Sequence, residues 1–227
     1  NGLLKPTGGS ILIDGLSVTK QRVSSLARKI GFVFQNPDHQ IFNDRVDREV
    51  AFGPCNLGLT KEQTFIRVAE ALQAVGLGDF AEVSPQELSK GQRQRLALAS
   101  VLAMKTEIIV FDEPTTGQDY KEALQIMDLV AELNKKGHTI LFITHDMSLV
   151  ARYARRVIAL CEGSVLMDGP VNEVFAQVEK LNKTFIEPPQ ICQLASVLGL
   201  GNGVLSPEDL MNQLAEIREG MGHVCCG

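Results

Sequence analysis

The sequence lacks a long apolar run. No stretch of the 227 residues approaches the ~18 apolar residues that a membrane-spanning helix requires. The first residues, starting at Asn1, are polar and contain proline and glycine, unlike the charged start and apolar core of a secretory signal. We therefore expect any role at a membrane to be peripheral.

Surplus positive charge and paired cysteines are also lacking. The formal net charge is -5 and the pI is near 5.4, so the chain has no basic field for a phosphate backbone and we expect no nucleic-acid partner. The five cysteines are an odd number and have no metal-ligand spacing. They indicate reduced thiols in a cytoplasmic protein rather than a disulfide framework.

The chain does contain enough apolar residues, 44%, for a packed core. Three of the later apolar runs are separated by helical patterns, which predicts an α/β sheet with buried parallel strands. One of the helical patterns begins at Ala123 and ends near Gly137, which stands where a helix C-cap belongs. The apolar, β-branched runs are residues 11–13, 30–34, 108–111, 139–143 and 157–160.

Two segments differ in character from the rest of the chain. Residues 61–75 have the pattern of an amphipathic helix between segments rich in glycine and proline, which predicts a small helical lobe over 36–88. Pro188 and Pro189 mark a second change, and Ser206 to Asp209 predict the N-cap and acidic first turn of a final helix. We therefore expect a C-terminal appendage over 183–227.

An acidic pair, Asp112 and Glu113, follows one of the apolar runs. The pair should emerge at the carboxyl end of a buried strand, where open α/β sheets place their ligands. The first carboxylate suits Mg²⁺, and the second suits a general base that deprotonates an attacking water. An acidic pair alone is weak evidence, since a solvated loop is about as common.

Two further polar residues follow predicted strands. Gln35 ends the run IGFVF, and its amide could supply an oxygen to Mg²⁺ or contact the water. His145 follows the run at 139–143 and could reach the same pocket, although a lone histidine is more often structural or exposed. Three strand ends therefore converge on one chemistry.

Ser89, Gly91 and Gln92 lie just before an apolar helix predicted over 96–103. A hydroxyl and unpaired N–H groups at a helix N-terminus favour an anion. An ordinary N-cap at Ser89 would account for the serine, and we expect it not to account for the glycine and glutamine.

Taken together, these segments resemble an ABC-type ATPase. The run LSKGQRQRLALASVLA (88–103) is similar to the signature motif, and IIVFDEPTTGQD (108–119) is similar to Walker B. The segments GFVFQNPDHQIF and DREVAFGPCNLGL further resemble the cobalt-type or energy-coupling-factor branch, and the signature helix with DEPTTGQD resembles the C-terminal cassette of two-cassette members. The resemblance implies a P-loop NTPase-type ABC ATPase core formed by residues 1–35 and 89–182, with the helical lobe and the appendage attached.

The resemblance also implies ATP and Mg²⁺ as cofactors. It further implies a second cassette in a homo- or heterodimer and a transmembrane subunit that binds the helical lobe. The protein would be peripherally associated with the cytoplasmic face of the cell membrane. The transported substrate would be a vitamin or a cobalt or nickel ion.

The family's functional residues carry over to positions in this sequence. The catalytic residues would be Glu113, His145 and Gln35. The Mg²⁺ ligands would be Asp112 and Gln35. Because two cassettes face head to tail in this family, the signature residues would contact ATP held by the partner. The nucleotide-binding positions would be Ser89, Gly91, Gln92 and Asp119.

Two positions depart from the family pattern. Lys90 replaces the first glycine of Leu-Ser-Gly-Gly-Gln, where it either adds a cation near the partner's phosphate or points outward. Gln118 replaces the leucine of Gly-Leu-Asp, in the turn to which the resemblance assigns contacts across the dimer. Neither substitution removes a catalytic group.

The printed sequence contains no G-x-x-x-x-G-K-[ST] pattern, the loop that holds phosphates on backbone amides and a lysine. The start, NGLLKPTGGSILIDG, resembles the segment that follows this loop in the family. We therefore expect an N-terminally truncated cassette that does not hydrolyse ATP by itself.

Two alternatives remain open. The chain could be a non-catalytic module that lends its signature to a partner cassette, although Glu113 and His145 argue against this. Soluble ABC ATPases of DNA repair or translation form another class, but the sequence has neither a long coiled-coil insertion nor basic RNA-facing segments.

Overall fold

The computed structural model of the chain describes residues 1–184, 186–200 and 203–222, and its side chains through residue 217. The chain forms two compact units, Asn1–Ile143 and Thr144–Gly227. The domain boundaries drawn from the sequence stay predictions.

The first unit contains five strands and five α-helices among its described elements. Its strands are β1 (Leu12–Ile13), β2 (Leu16–Ser17), β3 (Ile30–Val33), β4 (Ile108–Asp112) and β5 (Thr139–Ile143). Its helices are α1 (Val23–Ala27), α2 (Val46–Asn56), α3 (Lys61–Ala74), α4 (Lys90–Ala103) and α5 (Tyr120–Lys135).

Strands β3, β4 and β5 form a parallel sheet in that order. The register pairs Val33 with Phe111, and Asp112 with Ile143. This confirms parallel pairing for these runs, because chain segments with helices join the carboxyl end of each strand to the start of the next. Burial of β5 was predicted wrongly: Leu141 is 48% exposed and Ile143 is 50% exposed, since alternate side chains of a strand point to opposite faces.

The helical lobe and the sheet share one hydrophobic core. Helices α2 and α3 pack against α4 and against each other. Val50 on α2, Leu72 on α3 and Leu96 on α4 are buried in the same cluster as Phe111 of the sheet. The lobe is therefore held to α4 by apolar packing.

Helix α5 confirms the stripe predicted from its sequence. Its cap is followed by Gly137, whose φ of +101° is a conformation that glycine adopts without strain. The predicted core-facing residues are all buried: Ala123, Ile126, Met127, Val130 and Leu133.

In the second unit, β6 (Arg156–Cys161) pairs antiparallel with β7 (Ser164–Pro170). The expectation of a parallel strand for 157–160 was therefore wrong. Glu162 and Gly163 both have positive φ, +48° and +76°. A loop of two residues with this geometry joins antiparallel strands, whereas a parallel pair needs a long crossover.

The other elements of the second unit are helical: α6 (Met147–Tyr153), α7 (Val171–Phe175), α8 (Val178–Leu181), α9 (Gln190–Val197) and α10 (Pro207–Gly222). Pro188 and Pro189 precede α9, and Ser206 caps α10 by accepting from the Asp209 N–H at 3.1 Å. Both features confirm the sequence prediction. His223, Cys225 and Cys226 lie outside the described residues. Within the described helices, none is long and apolar enough to cross a bilayer.

Candidate functional site

The acidic pair lies at the carboxyl end of β4. Asp112 is the last residue of the strand, and Glu113 follows with a φ of +47°. The Glu113 N–H donates to the Ile143 carbonyl at 2.9 Å, so β5 fixes the backbone at this position. A non-glycine residue in this region of φ costs on the order of 1 kcal/mol and is often found at functional sites.

Thr116 orients the Glu113 side chain. The Thr116 hydroxyl donates to Glu113 Oε2 at 3.3 Å, and the Thr116 N–H donates to the Glu113 carbonyl at 3.2 Å. The turn after β4 therefore closes on the carboxylate that the sequence predicted as a general base. Sequence reasoning had missed this threonine, although its position three residues after Glu113 is typical of such a turn.

Gln35 lies at the same edge of the sheet as Glu113. Gln35 stands two residues beyond Val33 and Glu113 stands two residues beyond Phe111, and Val33 pairs with Phe111 in the parallel register. The Gln35 side chain is exposed. The register therefore brings Gln35 and the acidic pair to the ends of adjacent strands.

His145 belongs to the second unit and precedes α6 by two residues along the chain. It is exposed, and it follows Ile143 by two residues along the chain. The next residue, Asp146, caps α6 by accepting from the Ser148 N–H at 2.9 Å. The role predicted for His145 stays a prediction.

Ser89 and Gln92 form a capping box at the start of α4. The Ser89 hydroxyl accepts from the Gln92 N–H at 3.2 Å, while Gln92 Oε1 accepts from the Ser89 N–H at 2.8 Å. The expectation that helix capping explains the serine alone was wrong, because the glutamine closes the reciprocal bond. Ser89 keeps its hydroxyl hydrogen as a donor, since the cap uses its oxygen as an acceptor.

Gly91 is buried against Glu122 of α5. A Cβ at position 91 would stand 3.1 Å from Glu122 Oε1 and 3.2 Å from its carboxyl carbon. The start of α4 and the start of α5 therefore approach closely. The glycine has a packing reason in addition to any contact with nucleotide.

Lys90 is exposed and contacts a loop of its own chain. Its Nζ donates to the carbonyl oxygens of Thr116, at 2.9 Å, and Gly117, at 3.4 Å. The lysine therefore ties the signature helix to the loop that follows Walker B in its own chain.

Gln118 and Asp119 complete that loop. Gln118 Nε2 donates to the Pro114 carbonyl at 3.4 Å, whereas Gln118 Oε1 is buried without a hydrogen-bond partner in the described structure. Asp119 caps α5, because its Oδ1 accepts from the Glu122 N–H at 2.8 Å. The nucleotide contact predicted for Asp119 stays a prediction.

The residues at the sheet edge are compatible with Mg²⁺ and nucleotide. Asp112 offers a carboxylate and Gln35 an amide oxygen, both hard donors that Mg²⁺ accepts. In residues 1–184, 186–200 and 203–222 there is no group of three or more His, Cys, Asp or Glu side chains that could hold a metal ion. That finding is compatible with Mg²⁺ bound to nucleotide, which uses one or two protein carboxylates with phosphate and water oxygens.

Comparisons with solved structures define the class of fold. The structure of CbiO1 from Clostridium perfringens, described as part of the ABC transporter complex CbiONQ, is similar with a TM-score of 0.73 and 37% identity, covering 86% of this chain and 79% of that chain. The ATP-binding cassette MJ0796, a dimeric post-hydrolysis structure bound to ADP and Pi, is similar with a TM-score of 0.65 and 32% identity over 75% of this chain and 76% of that chain. The fold is that of an ABC ATPase of the P-loop NTPase class.

The sequence comparisons identify the family. The model of the ABC transporter family matches residues 1–116. The energy-coupling factor transporter ATP-binding protein EcfA of Methanocaldococcus jannaschii is 46% identical over 200 residues, which are 87% of this chain and 72% of that protein. The chain belongs to the ABC transporter family.

The relatives differ in length. The ABC transporter ATP-binding protein TTE1589 of Caldanaerobacter subterraneus subsp. tengcongensis is 46% identical over 212 residues, which are 93% of this chain. The match spans 37% of the length of TTE1589. This chain therefore corresponds to one part of that longer relative.

Proposed function

We propose that this chain is the ATP-hydrolysing motor subunit of an energy-coupling-factor or cobalt-type uptake transporter. One observation carries the proposal: Gln35 and the pair Asp112-Glu113 stand at the ends of adjacent parallel strands in matching register, at the edge where α/β sheets bind ligands. The resemblance to proteins named EcfA and to CbiO1 supports the transporter class.

Glu113 is the proposed general base. Its carboxylate takes a proton from the water that attacks the γ-phosphate of ATP, and Thr116 holds the carboxylate in one orientation. Gln35 orients the same water from the neighbouring strand end. For His145, the family resemblance implies a contact with the γ-phosphate. Asp112 and Gln35 would hold Mg²⁺, and the bound ion would neutralise charge on the phosphate oxygens.

The signature residues serve a second cassette. Ser89 donates its hydroxyl hydrogen and Gly91 offers its backbone N–H to ATP held by the partner in a homo- or heterodimer. Gln92 offers its side-chain Nε2 hydrogens, since its backbone N–H already donates to Ser89 Oγ. Asp119 stands beside the same dimer interface. Positive potential at the start of α4 favours the phosphate in this arrangement.

The membrane partner is proposed to bind the helical lobe. Phe42 and Phe52 form an exposed edge-to-face pair, 64% and 49% exposed, with ring centroids 4.7 Å apart. Exposed aromatic residues are typical of protein interfaces. The chain would then sit at the cytoplasmic face of the membrane and drive uptake of a vitamin or a cobalt or nickel ion.

We propose that residues 1–227 alone do not bind Mg-ATP with micromolar affinity, because they contain no phosphate-binding loop. Loss of about three charge-assisted hydrogen bonds to phosphate costs ~5 kcal/mol, or over ~1,000-fold in affinity. Calorimetric titration of this chain with Mg-ATP tests the point. Micromolar binding would refute it.

The hydrolytic role is tested in a chain extended at its start with a phosphate-binding segment from a relative. Glu113→Gln should retain ATP binding and lose at least about 100-fold in turnover, since a positioned general base contributes about that much or more. Glu107→Gln, an exposed glutamate next to β4, is the matched control. Unchanged turnover in Glu113→Gln would remove Glu113 from the role of base.

A second candidate is a module that only lends its signature to a partner. The capping box at Ser89 and Gln92 would be sufficient for that role. The test mixes this chain with an intact cassette and measures ATP hydrolysis. Hydrolysis that is stimulated only when Ser89 is present, and equally with or without Glu113, would favour the non-catalytic module over the motor subunit.

A further inference from the structure

Two glutamine side chains hold the backbone on both sides of Phe34, the residue before Gln35. The Phe34 N–H donates to Gln40 Oε1 at 3.2 Å. Gln94 Nε2 donates to the Phe34 carbonyl at 3.3 Å. That carbonyl belongs to the same peptide group as the Gln35 N–H. The Gln94 side-chain amide therefore fixes the orientation of the planar Phe34–Gln35 peptide group.

Both glutamines connect this segment to α4, the signature helix. Gln94 is a residue of α4 and is 3% exposed. Gln40 Nε2 donates to the carbonyl of Ala97 at 3.0 Å, and positions 94 and 97 are neighbours on a helix surface. Arg93 adds an ion pair from Nε to Asp38 Oδ1 at 2.9 Å.

The backbone of Phe34 does not by itself require these contacts. Strand β3 ends at Val33, so the backbone of Phe34 is past the ladder, and Phe34 is 41% exposed. Water could satisfy such a backbone, whereas a buried glutamine is costly unless its amide is bonded. The two glutamines therefore fix an orientation that solvent would leave free.

We propose that Gln40 and Gln94 are positioning residues that fasten Gln35 to the signature helix. This inference rests on the proposed function in placing Gln35 at the nucleotide.

The test uses the 227-residue chain labelled for NMR. In Gln40→Met, amide hydrogen exchange at Phe34 should accelerate about ten-fold, because the variant keeps the length of the side chain and loses the acceptor. In both Gln40→Met and Gln94→Met, the order parameter of the Gln35 amide should fall from about 0.85 to below about 0.7. Gln40→Glu keeps an acceptor for the Phe34 N–H and loses the donor to the Ala97 carbonyl, so protection at Phe34 should lie between that of the parent and that of Gln40→Met.

The control is Gln125→Met, an exposed glutamine on α5 whose side chain makes no hydrogen bond in the described part of the chain, and it should leave Phe34 and Gln35 unchanged. Equal acceleration at Ile109 and Phe111 in β4 would mean a general loss of packing and would overturn the positioning role. Unchanged dynamics at Gln35 in both variants would overturn it as well. Neither readout needs nucleotide turnover, so failure here is distinct from failure of the Glu113 test.

Discussion

Lys90 donates a hydrogen bond to the carbonyl oxygen of Thr116 at 2.9 Å, which joins the signature helix to the loop after Walker B. The same Nζ donates to the Gly117 carbonyl at 3.4 Å, and the φ of Gly117 is +71°, a conformation that glycine adopts without strain. The residue that departs most from the signature pattern therefore holds a loop of its own chain.

Replacing Lys90 should loosen that loop. In Lys90→Met, amide exchange at Thr116 and Gln118 should accelerate on the order of five-fold, since the hydrogen bonds from a charged donor to the Thr116 and Gly117 carbonyls are lost at an exposed site. Lys90→Arg should retain protection because it keeps a charged donor. The control is Lys121→Met, which replaces an exposed lysine on α5. Equal acceleration of amide exchange in the two variants would contradict a specific bond between Lys90 and the loop.

The backbone at Glu113 should prefer glycine to alanine. Its φ of +47° costs a side chain on the order of 1–2 kcal/mol, which glycine does not pay. We expect Glu113→Gly to have a higher free energy of unfolding than Glu113→Ala by about 1 kcal/mol in urea titrations. At Gln125, within α5, the order should reverse by a similar amount; the same order at both positions would contradict strain at Glu113.

Glu49 should be important for the stability of the helical lobe. It is 3% exposed, and its Oε2 accepts from the N–H groups of Phe42 and Asn43 and from the Asn43 side chain at 2.9–3.1 Å. Glu49→Ala leaves these donors without a partner and should lower the free energy of unfolding by about 3 kcal/mol. Glu49→Gln should lose less, since its amide oxygen still accepts.

The control for Glu49 is Glu70→Ala. Glu70 forms an exposed ion pair with Lys105 at 3.5 Å, with both side chains 58% exposed. Such a pair contributes about 0–1 kcal/mol, so the variant should unfold close to the parent chain. A loss at Glu49 no larger than that at Glu70 would exclude the proposed anchoring role.

The start of α10 should weaken in acid. Hydrogen bonds from the Leu205 N–H and from Ser206 lower the pKa of Asp209. The lowered pKa means that the stabilisation is complete above the unfolded-state value of about 3.9 and is lost as the pH falls through the folded-state value. The melting temperature of Asp209→Asn should therefore lie below that of the parent at pH 7, and the difference should shrink at pH 3. The same difference in melting temperature at both pH values would contradict stabilisation of α10 by the ionised Asp209 side chain.

The prediction of the parallel strands at 108–111 and 139–143 was correct because β-branched runs, helical spacers and polar strand ends are local patterns. The stripe of α5 and the cap at Ser206 could be predicted for the same reason. The run at 157–160 could not, because its apolar composition suits either pairing and the loop at Glu162-Gly163 selects the antiparallel one.

The sequence by itself determined the family, through the order of Gln35, the signature and Walker B, and it placed Asp112 and Glu113 at a strand end. Only the tertiary structure decided what Lys90, Gln40 and Gln94 contact. Their partners are backbone carbonyls and amides of segments distant in the chain. Because backbone groups are alike at every position, the sequence does not indicate which side chain will bond to a given one. Packing of α4 against the sheet and the lobe brings those groups together.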